Sequence, residues 1–438
     1  MKITDLKDKK ILILGLGKEG IDTFNFLRKA FPKKNLGLAD VDRTKKNIFK
    51  NKKNINLYLG KNYLKALKQG KYNLIIKSPG IKPDIISPYI NKKQIITSQT
   101  EIFFDNCPGK IIGLTGTKGK GTTALLIYRI LIKDGKKAHL IGNIGRPVLH
   151  FLASAKKDHL YIFELSSHQL YNLKKSPQIA VFLNIFPDHL DYYQNFKQYL
   201  RAKTNILLHQ NNKDYLIYNA NDKFVRQASK KSKAKKITIK GDYYNLNIKA
   251  AKAVAKIFNI KTKTVEETIK QFKNLDHRLE KVGIFKKITF YNDSAATIPQ
   301  ATIGAIKVIG PKLETIILGG WEKNLDYKEL ARKVLKSRIK NVILFPPTGK
   351  KIMNMIVRQN KNKKEINFFP IKKNKAEACM EKTVKTAYKH TGTDKICLLS
   401  PASASFGIFK DYKQRGDLFK KYVKKYGTEK TTCQPAGL

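Results

Sequence analysis

The sequence predicts an α/β fold of three domains in series, each built on a parallel sheet with helices on its faces. Two observations carry this prediction. Short apolar runs recur along the chain and end at glycine or a small polar residue, and helix-length amphipathic stretches separate them. With 438 residues, 42% of them hydrophobic, the chain has apolar material for several cores and lies far from the composition of a disordered segment.

The first run, Ile11-Leu12-Ile13-Leu14, enters Gly15-Leu16-Gly17-Lys18-Glu19-Gly20, a complete G-x-G-x-x-G, and Asp40 closes a second run, Leu36-Gly37-Leu38-Ala39. This is the pattern of a Rossmann-like domain, assigned to residues 1–107: glycines let the backbone approach a diphosphate at a helix N-terminus, and the acid meets a ribose hydroxyl. By itself the motif leaves NAD, another diphosphate-bearing nucleotide and an empty tight turn all open. Asn106-Cys107-Pro108-Gly109 marks the joint to the next domain.

The second run, Ile111-Ile112-Gly113-Leu114, enters Thr115-Gly116-Thr117-Lys118-Gly119-Lys120-Gly121-Thr122-Thr123. Glycines, a lysine and hydroxyls between a strand and a helix predict a P-loop ATPase-like parallel sheet over residues 108–283. Backbone N–H groups and the helix dipole hold the phosphates, Lys120 neutralises charge on the outer oxygens, and a hydroxyl faces Mg²⁺. Gly121 stands where Ser or Thr usually follows the lysine, so that hydroxyl comes from Thr122 or Thr123. Glu164 ends a further apolar run, and Asp188-His189 lies beyond the next one. A carboxylate and an imidazole beside a phosphate loop suit an Mg²⁺ that bridges ATP and a second substrate.

The third sheet opens at Ile288-Thr289-Phe290-Tyr291-Asn292-Asp293, after a joint near His277 to Gly283, and continues through Thr315–Gly320, Val342–Phe345 and Ile396–Ser400. It belongs to a second Rossmann-like domain, residues 284–438, whose tail from Thr428 to Leu438 is expected to fray.

Lys and Arg number 88 against 33 Asp and Glu, a net charge of +55. Such an excess attracts nucleic acid or anionic membrane without specificity. Only eleven of these residues are arginine, the side chain favoured for reading bases and gripping phosphate in a fork, and the lysines are spread along the chain. Solvated lysine faces are therefore favoured over a dedicated nucleic-acid surface. Cys107, Cys379, Cys397 and Cys433 show no C-x-x-C spacing, so neither a zinc site nor a disulfide framework is expected. No run approaches the roughly 18 apolar residues of a membrane span, and a cytoplasmic location is expected.

Together, the loop over 115–123, Glu164-Leu-Ser-Ser-His-Gln-Leu170, Asn184-Ile-Phe-Pro-Asp-His-Leu-Asp191, Arg201-Ala202-Lys203, Asp276-His277-Arg278 and Ser400 to Gly416 resemble the Mur ligases. These are ATP-dependent, amide-forming enzymes of peptidoglycan precursor assembly, and the resemblance spans about residues 10 to 425. It implies addition of D-glutamate to UDP-N-acetylmuramoyl-L-alanine through an acyl phosphate. A related ligase adding L-glutamate or another amino acid is the alternative, and a basic nucleic-acid-binding protein a distant one. It further implies ATP and two Mg²⁺ ions, small-molecule partners, a monomer, no specific nucleic acid and no membrane insertion.

Carried over residue by residue, the resemblance puts Gly15, Gly17, Gly20, Asp40, Ser78 and Asn143 on the UDP substrate, so the first fingerprint is not for NAD. Gly116, Thr117, Lys118, Gly119, Lys120, Gly121, Thr122, Thr123, Asn247, His277, Arg278 and Asp293 fall to ATP. Lys120, Glu164, His189 and Lys203 are the implied catalytic set, and Thr122, Glu164, His189 and Lys203 the implied metal ligands. Lys203 is implied to be carbamylated, which turns a cation that repels Mg²⁺ into an anion that binds it. Thr297, Lys323, Ser405 and Tyr412 fall where glutamate is held. Ala295 and Ile298 depart from the family's usual lysine and asparagine beside that pocket.

Overall fold

The computed structural model describes residues 1–68, 71–144, 146–189, 191–241 and 243–428; Gly145, Cys433 and the tail beyond Thr428 lie outside the described residues. Three sheets follow one another along the chain. The first contains β1 (Ile11–Leu14), β2 (Leu36–Asp40), β3 (Ile55–Leu59), β4 (Leu74–Lys77) and β5 (Ile95–Thr97), all parallel, in the order β3-β2-β1-β4-β5. Ile11 to Leu14 are all buried, as a strand covered on both faces requires. Strand order reverses at β1 and β4, and the ligand crevice of such a sheet opens beyond the carboxyl ends of the strands at that switch. Gly15 and Ser78 are the first residues past those two ends.

The second sheet contains β6 (Lys110–Thr115), β7 (Ala138–Gly142), β8 (Leu160–Glu164), β9 (Ile179–Phe182), β10 (Tyr215–Asn219) and β11 (Lys235–Ile239), again parallel, in the order β11-β10-β9-β6-β8-β7. Because β6 lies between β9 and β8, the phosphate loop, Glu164 and Asn184 emerge side by side.

The third sheet contains β12 (Glu280–Phe285), β13 (Ile288–Asn292), β14 (Leu313–Gly319), β15 (Asn341–Phe345), β16 (Asn367–Pro370) and β17 (Ile396–Leu399), in the order β12-β13-β17-β14-β15-β16. The stretch read from sequence as a joint runs into the edge strand β12, antiparallel to β13. It opens on Glu280-Lys281 and Gly283 interrupts its apolar part, so no run of branched residues marks it as a strand. Its two-residue turn is Lys286-Lys287, both at positive φ (50° and 61°), where Asn-Gly would have signalled a hairpin.

By compactness the chain forms two bodies: residues 1–241 with 245–272 carry the first two sheets, and the chain from Lys273 carries the third. One apolar cluster, including Phe24, Phe103, Phe163 and Ile206, runs from the first sheet into the second. Phe103, on the helix Gln99–Asn106, meets Phe163 of β8 edge-on at 5.8 Å between ring centres. Among the described residues no helix is long and apolar enough to cross a membrane.

Candidate active site

The phosphate loop is held in shape before any ligand arrives. Gly119, at φ +87°, precedes the helix Lys120–Lys133, and a Cβ there would stand 2.4 Å from Asn247 Oδ1, so glycine is required. The Asn184 side chain accepts from Lys118 N and donates to Lys118 O, both at 2.9 Å. Thr117 donates its N–H to Asn184 O (2.9 Å), and its hydroxyl accepts from Phe186 N at 3.0 Å. Lys120 folds back over the loop, its Nζ donating to Gly116 O at 2.9 Å. The Thr123 hydroxyl lies 2.9 Å from Gly119 O and 3.0 Å from Asn247 Oδ1, inside the core. Thr122 and Gly121 are buried in the same first turn.

Lys203, on the helix Phe196–Leu208, is fully buried beneath this loop and donates to the same Gly116 carbonyl at 2.9 Å. Burial, then the neighbouring Lys120, holds its ammonium well below the usual lysine range, against the pull of Asp188 and Glu164. Glu164 is buried, and its Oε2 has no hydrogen-bond partner. His189 sits in the left-handed region (φ +55°) with its ring 4.9 Å from that of His168. Among the described residues no three His, Cys, Asp or Glu converge on a closed metal site. Mg²⁺ needs none, since it takes one or two carboxylates and fills its shell with phosphate oxygens and water. The unpaired oxygen of Glu164 is the kind of ligand it satisfies, so the residues present fit the ion.

One cavity of about 500 Å³ joins the two sheets of this body. Gly17, Lys18, Glu19, Ser78, Pro79 and Gly80 line it from the first sheet; Thr117, Lys120, Asn143, Glu164, Ser166, Ser167, His168, His189, Tyr199 and Lys203 line it from the second. The predicted residues Gly17, Ser78, Asn143, Thr117, Lys120, Glu164, His189 and Lys203 therefore meet around one space. Gly15 and Gly20 back the turn, where a Cβ on Gly20 would stand 2.0 Å from Gly15 O. Asp40 shapes this turn, accepting from Leu16 N at 2.5 Å and Asp42 N at 2.8 Å. Sequence reading missed Glu19, His168 and Tyr199. The readable signal was the Ser166-x-x-Gln169 capping box, which sets how the short helix Ser167–Leu170 presents His168.

In the second body, Thr297 follows β13, Ser405 and Tyr412 follow β17, and Lys323 follows β14, three neighbouring strands. Lys323 is exposed and Ser405 buried, while Ala295 and Ile298 pack inward. Asp293 is buried and accepts from Ser400 Oγ (2.8 Å) and Leu279 N (3.2 Å). His277, at φ +64°, has its Nδ1 3.0 Å from Asn292 Nδ2, and Arg278 follows it half-buried. Arg415, which sequence reading quoted without assigning a role, is wholly buried and donates to Ser294 Oγ (3.0 Å), Ser294 O (2.8 Å) and Ser403 O (3.2 Å). Burial lowers its guanidinium to about 9, opposed by Asp293.

Residues 114–298 match the Mur ligase middle domain. A UDP-N-acetylmuramoylalanine–D-glutamate ligase of Acetivibrio thermocellus is 31% identical, covering 95% of this chain and 97% of its own. One from Clostridium kluyveri is 32% identical with the same coverage. Among solved structures, the MurF ligase of Thermotoga maritima in complex with ADP aligns with a TM-score of 0.59 at 15% identity, over 97% of this chain and 98% of that one. The UDP-N-acetylmuramate-alanine ligase of Thermotoga maritima aligns at 0.55 and 16%, over 96% and 100%. The structural likenesses speak to the fold, and the near full-length sequence identity speaks to descent: the chain belongs to the Mur ligases, in the family of UDP-N-acetylmuramoylalanine–D-glutamate ligases.

Proposed function

We propose that this protein joins the amine of D-glutamate to the carboxylate of UDP-N-acetylmuramoyl-L-alanine, with ATP cleaved to ADP and phosphate. The observation that carries this reading is the shared cavity in which the glycine turn of the first sheet faces Lys120, Glu164 and Lys203 of the second. A carboxylate repels an approaching nucleophile, so it is first activated: its oxygen attacks the γ-phosphorus, ADP leaves, and an acyl phosphate forms. The amine then attacks the acyl carbon, phosphate departs with the C–O bond electrons, and the amine gives up a proton.

Residues 1–107 take the UDP group, with Gly15, Gly17, Gly20, Ser78 and Asn143 around it; residues 108–283 take ATP; residues 284–438 hold glutamate through Thr297, Lys323, Ser405 and Tyr412. Lys120 leaves its carbonyl partners to meet the outer phosphate oxygens, offsetting the charge of two crowded anions. Thr122 and Glu164 would hold Mg²⁺, which would supply further charge neutralisation. Burial lowers the Lys203 ammonium below its ordinary range, which favours the neutral amine, the form that adds CO₂ with loss of a proton. A carbamate there, with His189, would offer a second ion an oxygen and a nitrogen donor.

Phosphate release from ATP, measured with UDP-N-acetylmuramoyl-L-alanine, Mg²⁺ and a panel of amino acids, tests the reading. Release is expected with D-glutamate and not with L-glutamate. No nucleotide consumption with all substrates present overturns the reaction, and release with another amino acid only overturns the choice of D-glutamate.

A further inference from the structure

The glycine turn carries an acid that a diphosphate site does not require. Glu19 is the second residue of the helix Lys18–Ala30, beside the backbone N–H groups that a phosphate approaches, and it lines the cavity. Its Oε1 accepts from Gln169 Nε2 at 2.8 Å. The orientation of that amide is fixed, because Gln169 Oε1 accepts from Ser166 N at 2.9 Å and must turn its NH₂ toward Glu19. Glu19 Oε2 is buried and has no partner. Lys77 donates to the carbonyls of Ser78 (3.1 Å) and Ile81 (2.7 Å), and Asp22 on the same helix adds negative charge. Burial foremost, with Asp22, pushes the Glu19 carboxyl up to about 7, against Gln169 and Lys77. Above that pH the group is a carboxylate, and a buried acceptor left without a donor costs free energy until a ligand supplies one.

We propose that Glu19 is a specificity residue: its Oε2 accepts an N–H or O–H of the muramoyl-alanyl part of the substrate and disfavours nucleotides that end at the diphosphate. The inference rests on the proposed function for what occupies the cavity. The phosphate end of free UDP presents only anionic acceptors to this carboxylate. The full substrate adds amide N–H groups and sugar hydroxyls. Discrimination then comes from a repulsive element against the wrong ligand as well as an attractive one for the right ligand.

Glu19→Gln separates the two effects. Gln169 Nε2 still needs an acceptor, so the new carbonyl faces it and the new NH₂ stands where Oε2 was. An acceptor becomes a donor without change of shape. In assays at about pH 8.5, where Glu19 is ionised, the KM for UDP-N-acetylmuramoyl-L-alanine is expected to rise about tenfold, as for a lost hydrogen bond to a charged group, while the inhibition constant of free UDP falls. The KM for ATP should stay within about twofold. Glu19→Ala, which removes charge and acceptor together, should move both constants in the same opposed directions. Neither constant depends on how much of a variant folds. If both shift in the same sense, or neither shifts, Glu19 is only a tie for Gln169 and the inference is overturned. Turnover by the unmodified protein tests the functional reading separately.

Discussion

At the scale of the residue, burial decides what a side chain can do. Lys203 is an amine buried at the cavity wall, and that burial lowers its ammonium below the ordinary lysine range, favouring the form that can add CO₂ over a cation beside the phosphates. Lys203→Ala is expected to lower turnover about 10- to 100-fold, and short carboxylic acids should restore part of it by standing in for the carbamate. Phosphate-release rates with and without acetate check this, and an unimpaired variant removes the metal role from Lys203. His168 follows the same logic on the acid side. Burial first, then His189, lowers its imidazole from 6.5 to about 4, so it stays neutral in the fold where the unfolded chain would take a proton. Stability is then lost as pH falls from about 6.5 toward 4, by about 2 kcal/mol between pH 7 and pH 5. In urea titrations at those two pH values, His168→Phe should lose about that much less than the unmodified protein.

At the scale of the element, Arg415 ties the helix Tyr412–Thr428 to the loops that leave β13 and β17. Its fork reaches Ser294 and Ser403 together, which a single ammonium cannot do. Arg415→Lys should destabilise the second body by about 3 kcal/mol, from buried carbonyls left without donors, and raise the KM for glutamate. Thermal melting and glutamate titration read the two effects. The strands that organise these loops were legible in the sequence because parallel strands are buried on both faces and appear as apolar runs, from Ile11–Leu14 to Ile396–Leu399. β12 was not legible, because Glu280-Lys281 and Gly283 leave it no branched apolar run and its Lys286-Lys287 turn lacks the usual residues. The candidate site divides the same way. Glycine spacing announced both loops, yet it could not tell that Thr123 points into the core, that Asp40 bonds to the turn's own backbone, or that Glu19 faces the cavity. Those outcomes depend on partners at Asn247, Leu16 and Gln169, and for Asn247 and Gln169 that partner lies more than a hundred residues away in sequence.

At the scale of the molecule, the net charge of +55 acts on two quantities with opposite sign. Like charges repel across the folded surface, so screening them stabilises the fold. The substrates proposed for the cavity are all anions, so the same field draws them in, and screening slows their capture. Raising NaCl from about 20 to about 300 mM shortens the Debye length from roughly 20 Å to roughly 6 Å, below the reach of most surface lysines across solvent. The melting temperature should therefore rise while kcat/KM for UDP-N-acetylmuramoyl-L-alanine falls several-fold. The turnover number itself should hold nearly constant, because the groups that act on the phosphates, Lys120, Glu164 and Lys203, are buried or half-buried at a cavity wall where salt screens them little. A kcat/KM that ignores salt while the melting temperature climbs would mean the lysines serve solubility alone; a kcat that falls with it would place the charge inside the chemistry.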